Sequence, residues 1–164
     1  PTPLGEITLA HWDDLLGTNL RAPLFLSQAA APALREAGGL VLNIADIHGQ
    51  RPLRHHPVYS AAKAGLIMLT QSLAREMAPR VRVNAIAVGS TKTDALNTVL
   101  TPEIERTMVD LTPMARLGEV EDIALGALYL CTPAASYVTG EILGVNGGLE
   151  RLNMQMPRAW GGMG

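Results

Sequence analysis

The stretch Leu40-Val41-Leu42-Asn43-Ile44-Ala45-Asp46, read with Tyr59-Ser60-Ala61-Ala62-Lys63 downstream, decides the fold. The first is an apolar run without alternation, which reads as a parallel strand buried on both faces. Its carboxyl end, marked by Asp46, then opens onto the crevice where doubly wound sheets take their ligands. In the second, Tyr59 and Lys63 stand four residues apart and share one face of a helix. A phenol titrates near ~10 unaided, and an ammonium at ~4 Å in an effective dielectric of ~20 favours the phenolate by ~4 kcal/mol. Lys63 is therefore expected to pull the Tyr59 pKa down, which makes Tyr59 a candidate acid/base and Lys63 its tuner. Asp46 adds a third polar group to the same candidate site.

Working outward, Pro57 stands where the Tyr59 helix can begin, and Leu66, Leu69, Leu73 and Met77 give it an apolar stripe. Ser60, Ala61, Ala62, Ala64 and Gly65 are small enough to admit another backbone or a ligand. Arg80 to Gly89 reads as the next strand and its turn. Upstream, His11 to about Ala37 reads as one long helix stopped by Gly38-Gly39. Ser90 to Gly118 lacks strong periodicity, contains Pro102 and Pro113, and reads as a functional lid with helical pieces. Glu119, Glu121 and Asp122 place negative charge at the start of a helix running to about Cys131, and a last strand covers about Glu141 to Val145. The alternation gives an α/β class. Residues 1–150 form the expected domain and 151–164 a C-terminal extension, either a subunit-contact arm or a tail without fixed structure.

Of the 164 residues, 48% are hydrophobic and 17% charged, enough to bury a sizeable core. The net charge of −2 gives no general attraction for nucleic acid or an anionic membrane, and the aromatics are too few for a base-stacking surface. No apolar run reaches ~18 residues, so a soluble, cytoplasmic protein is expected. Cys131 alone excludes an internal disulfide and reads as a packed thiol on an apolar helix. His48, His55 and His56, with Arg51 and Arg54, lack the helical spacing of a zinc site and read as a solvated or substrate-rim loop; no metal is expected. Met108, Met114 and Leu117 either wall an apolar pocket or pack the lid.

These stretches together resemble the C-terminal part of the short-chain dehydrogenase/reductase family. The resemblance rests on Thr18-Asn19-Leu20, Asn43 to Asp46, Tyr59 to Lys63, Arg82 to Ala87, Arg116 to Glu119, Asp122-Ile123-Ala124, and Val138 through Gly148. It implies a Rossmann-type doubly wound parallel sheet, here lacking its N-terminal half, since no Thr-Gly-x-x-x-Gly-x-Gly turn stands in the sequence. It also implies that Asn19 orders a proton-relay water, that Tyr59 is the catalytic acid/base, and that Lys63 binds the nicotinamide ribose. Gly89, Ser90, Thr91 and Thr93 match the family turn that faces the nicotinamide carboxamide, although Val88 replaces the usual proline and a purely structural turn is the other reading. Asp46 is a departure, because most members carry serine there. The pteridine reductases carry aspartate, and Pro1-Thr2-Pro3-Leu4-Gly5 resembles that subgroup too.

The resemblance therefore implies an NADPH-dependent reductase of a pteridine, with Asp46 contacting a ring nitrogen or amino group or holding Tyr59 and water, and Tyr59 donating the proton. The alternatives are a short-chain dehydrogenase of an alcohol or ketone, such as a sugar, steroid or acyl thioester, and an inactive piece retaining dimer surfaces. A small-molecule substrate and a homodimer or homotetramer are the expected partners.

Overall fold

The computed structural model describes residues 1–149; the expected extension at 151–164 lies outside the described residues. Three strands, β1 (Leu40–Asp46), β2 (Arg82–Val88) and β3 (Ile142–Val145), form one parallel sheet in the order β1-β2-β3. The register pairs Asp46 with Val88 and Val88 with Val145, so the three carboxyl ends finish level. That level edge places the chemistry.

Helices cover both faces. Before the sheet come α1 (Leu9–Leu16) and α2 (Ala22–Ala37); α3 (Pro57–Met77) joins β1 to β2, and α4 (Asp94–Asn97), α5 (Pro102–Leu111) and α6 (Val120–Cys131) lie between β2 and β3. Side chains alternate along each strand. Ala45, Ala85 and Ala87 pack with Leu66 of α3, and Val83 packs with Ala74 and Met77. Ile86, with Leu42 and Val88 beside it, packs against Leu130 and Ile123 of α6. The result is the expected doubly wound α/β arrangement.

The run from His11 to Ala37 is not one regular helix. It starts at Leu9 after the Thr8 cap, whose hydroxyl accepts from the His11 amide at 3.2 Å, and Gly17–Arg21 form a π-turn between α1 and α2. Leu16, Leu20 and Leu24 keep four-residue spacing across this turn, so the apolar pattern does not reveal it. Gly38 ends α2 in the left-handed region as expected, at φ 63°. Cys131 is a second difference: it is the last residue of α6 and exposed, because the helix buries Leu130 instead.

Candidate active site

β1 and α3 together place the central triad. α3 begins at Pro57 and buries Val58, Ala62, Leu66, Thr70, Ala74 and Met77 at near four-residue spacing, which holds the helix on the sheet. A buried polar link sets the register: the Asn43 amide donates to Thr70 Oγ1 at 2.9 Å, and that hydroxyl donates to the Leu66 carbonyl at 2.8 Å. Tyr59 and Lys63, one turn apart at the start of this helix, therefore reach the end of β1. The Tyr59 hydroxyl donates to Asp46 Oδ2 at 2.8 Å, and Lys63 Nζ donates to the Ile44 carbonyl at 2.9 Å. Asp46 Oδ1 accepts from the His48 amide at 2.8 Å, so both carboxylate oxygens are oriented.

The electrostatics correct the sequence expectation for Tyr59. The Lys63 ammonium sits 5.7 Å from the centre of the Tyr59 ring, and its hydrogen bond goes to the backbone instead of the phenol oxygen. Burial raises the Tyr59 pKa first, and the Asp46 charge and hydrogen bond raise it further, to well above the usual phenol range. Both favour the protonated phenol, whereas the Lys63 spacing anticipates a lowered pKa. Burial lowers the Lys63 pKa, opposed by the attraction of Asp46.

The loop after β1 bends closely over α3. A Cβ on Gly49 would lie 2.8 Å from the Lys63 carbonyl carbon and oxygen, so only glycine allows this approach. Across the sheet edge, Gly89 follows β2, and a Cβ there would lie 2.6 Å from Asn146 Cα. Gly89, Ser90 and Thr91 line a cleft of about 250 Å³ with Met114, Asn146 and Gly147. The Thr91 hydroxyl donates to the Gly89 carbonyl at 3.1 Å. Thr93 does not join the lining; its hydroxyl accepts from the Leu96 amide and caps α4. Asn19 lies in the π-turn packed against α3, and its side-chain amide donates to the Leu15 carbonyl at 3.0 Å.

The lid contains α4 and α5, as its helical pieces were expected to. Met114 is exposed at the cleft, Leu117 is buried at 2% and packs the lid, and Met108 is half-buried. His48 and His56 are held by the Arg51 and Arg54 carbonyls, and Arg51 donates to the Leu149 carbonyl. Among the described residues no group of three or more His, Cys, Asp or Glu is placed to hold a metal ion.

Two features escape the sequence. Arg116 forms a paired contact with Asp122, at 2.7 and 2.8 Å, beside the Gly89 cleft; this hydrogen bonding raises the arginine pKa and holds the carboxyl well below its usual range. Tyr59 lines a separate pocket of about 200 Å³ with Thr2, His11, Asp14 and His56. Those four residues carry no spacing signal, because three different segments bring them together.

A nicotinamide nucleotide fits the donor set. The Lys63 ammonium has N–H groups beyond the one given to Ile44, and Ser90 and Thr91 place hydroxyls at the adjacent strand end, where the glycine turn leaves the cleft open.

Comparison with known proteins agrees with this arrangement. Residues 1–150 match the family described as enoyl-(acyl carrier protein) reductase. The chain is 43% identical over 156 residues to 7α-hydroxysteroid dehydrogenase of Escherichia coli K12, covering 93% of this chain and 61% of that protein. It is 38% identical over 146 residues to a 3-oxoacyl-(acyl-carrier-protein) reductase of Aquifex aeolicus, covering 88% of this chain and 58% of the relative. The structure of a 7α-hydroxysteroid dehydrogenase complexed with NADH and 7-oxo glycochenodeoxycholic acid superposes with a TM-score of 0.86 at 38% identity, covering 93% of this chain and 61% of that one. The chain thus spans about three fifths of the length of these relatives. With the level strand ends, the Tyr59 and Lys63 helix and the glycine turn, these matches show that the chain belongs to the short-chain dehydrogenase/reductase family.

Proposed function

We propose that the protein serves pyridine-nucleotide-dependent interconversion of a secondary alcohol and a ketone. The observation that carries this reading is the Tyr59 hydroxyl hydrogen-bonded to Asp46 at the carboxyl end of β1, one strand from the Gly89 turn. Lys63 would hold the nicotinamide ribose, with Tyr59, and Gly89, Ser90 and Thr91 would meet the carboxamide. Bound there, the nucleotide supplies the hydride acceptor or donor. NADPH is the expected carrier; the matched solved complex holds NADH.

Asp46 favours the alcohol as the bound form. A carboxylate only accepts hydrogen bonds, so it receives the O–H of an alcohol, whereas a ketone oxygen must displace it to reach the Tyr59 hydroxyl. The proton of the alcohol passes to the Tyr59–Asp46 pair. Lys63 offsets the negative charge held there. Asn19, on the π-turn packed against α3, would order the proton-relay water.

A pteridine substrate is the second reading, and the same acceptor favours it, because a pterin also presents N–H donors to Asp46. The relatives named above act, by their names, on a hydroxysteroid and an oxoacyl thioester, which supports the first. A homodimer or homotetramer is proposed as the assembled form, supported by exposed Phe25 and Leu26 on α2 and Met68 on α3.

The test is nucleotide reduction with secondary alcohols, and nucleotide oxidation with ketones and dihydropteridines, in parent, Tyr59→Phe and Asp46→Ser. Tyr59→Phe should lower turnover by at least ~100-fold, because the ring stays packed while the transferable proton is gone. Asp46→Ser should weaken alcohol binding relative to ketone binding, read as a raised KM for alcohols and a lowered KM for ketones. Near-parental turnover in Tyr59→Phe defeats the reading. Pterin reduction that falls roughly ten- to hundredfold in Asp46→Ser, without alcohol activity in the parent, selects the second.

A further inference from the structure

The turn that follows β1 is pinned on two sides, and the pins set how Asp46 meets Tyr59. Pairing with Val88 fixes the Asp46 backbone at the end of the strand but leaves its side chain free to rotate. The direction of the carboxylate comes from one bond at each oxygen, with the Tyr59 hydroxyl and with the His48 amide. That amide belongs to the turn Ile47–Gly49, so half of the aim is carried by the turn. Ile47 is buried at 3%, and its carbonyl accepts from the Gln50 amide at 2.9 Å and the Arg51 amide at 2.8 Å, which closes the turn on itself.

On the helix side, a Cβ on Gly49 would stand 2.8 Å from the Lys63 carbonyl carbon and oxygen. Packed carbon atoms settle at about 3.5–4.0 Å, and a helix backbone, unlike a side chain, has no other rotamer to take. An added methyl must therefore push turn and helix apart. Tyr59 lies one turn ahead of Lys63, so that displacement opens the gap between its hydroxyl and Asp46. On the outer side, the Arg51 guanidinium donates to the carbonyl of Leu149, which follows β3, and His48 Nδ1 donates to the Arg51 carbonyl at 3.1 Å. Arg51 thus fastens His48, whose amide orients Asp46, to the chain leaving β3, two strands away.

We propose that Gly49 and Arg51 are positioning residues of the active site, which act through Asp46 by holding its carboxylate within hydrogen-bond distance of Tyr59. This rests on the alcohol–ketone reading above, in which the same carboxylate receives the alcohol hydroxyl, and deepens it. Lys63 on α3, His11 and Asp14 of α1 and His56 ahead of α3 also stand near the phenol. An Asp46→Asn background separates their influence from that of the carboxylate.

The experiment reads the ionisation of Tyr59 in the protein without nucleotide or substrate. Tyr59, Tyr129 and Tyr137 are the three tyrosines of the chain, so a Tyr129→Phe, Tyr137→Phe background grown with fluorotyrosine gives a single fluorine NMR resonance. Fluorine also makes the phenol more acidic, which brings its titration within reach. Gly49→Ala and Arg51→Ala should each lower the midpoint by about one pH unit, the worth of a hydrogen bond to a charged group. Arg51→Lys, which keeps a cationic donor, should restore much of it, and in Asp46→Asn neither change should shift the midpoint further. Gly39→Ala is the control: its Cβ would stand 2.8 Å from the Leu34 Cδ2 at the opposite end of β1, and it should leave the midpoint in place. Arg51 is exposed, so Arg51→Ala carries the test alone where Gly49→Ala does not fold. Shifts as expected in a parent that turns over neither alcohols nor ketones would defeat the alcohol–ketone reading while the positioning roles stand. A midpoint unmoved in both variants, an equal shift in Asp46→Asn, or the same shift from Gly39→Ala overturns the proposal.

Discussion

Tyr59 shows how one neighbour can reverse the meaning of a spacing. Four-residue separation from Lys63 predicts a lowered pKa, yet the ammonium reaches the Ile44 carbonyl and the hydroxyl reaches Asp46, so burial and a carboxylate act on the phenol in the same direction. A raised pKa in the folded chain means the folded state holds that proton more tightly than the unfolded one. Its contribution to stability is complete below about 10, the ordinary tyrosine value, and is lost as the pH climbs past it toward the folded value. Denaturation midpoints should therefore fall in that alkaline window, and less steeply in Tyr59→Phe. Asp46→Asn removes the negative charge and should move the tyrosinate absorbance of Tyr59 to lower pH, read in a Tyr129→Phe, Tyr137→Phe background; an unmoved midpoint would show that Asp46 does not act on the phenol. Thr2 allows a second test at this scale. Its unpaired hydroxyl costs the folded state, so Thr2→Val should raise stability by about 1–2 kcal/mol in denaturant titrations. A loss of stability would mean that the hydroxyl has a partner.

The elements most legible in the sequence are those whose signal is local. β1, β2 and α3 follow from apolar runs, from Pro57 at a helix start, and from a stripe of buried residues that the structure places on the sheet, although β1, expected to be buried on both faces, leaves Ile44 at 51% exposure. The π-turn at Gly17–Arg21 and the exposed Cys131 were not legible, because Leu16, Leu20 and Leu24 keep four-residue spacing across the turn and because the buried side of α6 depends on what it packs against. The pocket of Thr2, His11, Asp14 and His56 was hidden for a similar reason: its members meet only after α1 and the loop before α3 have packed. Asn84 illustrates a tertiary link carried by one side chain. At 1% exposure on β2, its amide donates to the Val138 carbonyl at 2.9 Å and its oxygen accepts from the Glu141 amide at 3.0 Å, which fixes the chain entering β3. Asn84→Ala breaks both bonds and strands the Glu141 amide, while the Val138 carbonyl keeps the Arg82 guanidinium at 3.4 Å, so a destabilisation of about 1–3 kcal/mol is expected. Asn84→Asp, which keeps the acceptor but loses the donor, should cost a different amount; indifference to both changes would show that β3 is held by the sheet alone.

At the scale of the molecule, the doubly wound order could be read from alternating elements, while the surfaces left for assembly could not. Apolar residues remain exposed on both sides of the sheet. On one side α2 leaves Phe25 and Leu26 at 55% and 70% exposure and α3 leaves Met68 at 61%; on the other, α6 leaves Leu125 and Leu128 at 60% and 59%. Exposed apolar side chains gathered on helical faces mark sites of association, and a stable contact needs about 800 Å² from each partner, within the reach of two adjoining helices. Two such faces on opposite sides of one sheet fit a dimer that pairs again into a tetramer through separate two-fold contacts. Leu26→Glu with Met68→Glu should abolish one contact and Leu125→Glu with Leu128→Glu the other, because a charge forced into an apolar interface loses its hydration without gaining a partner. Sedimentation velocity should then show the parent as a tetramer, each pair of substitutions as a dimer, and all four together as a monomer. A parent that sediments as a monomer at every concentration, or a tetramer that survives both pairs, would assign these faces to something other than self-association.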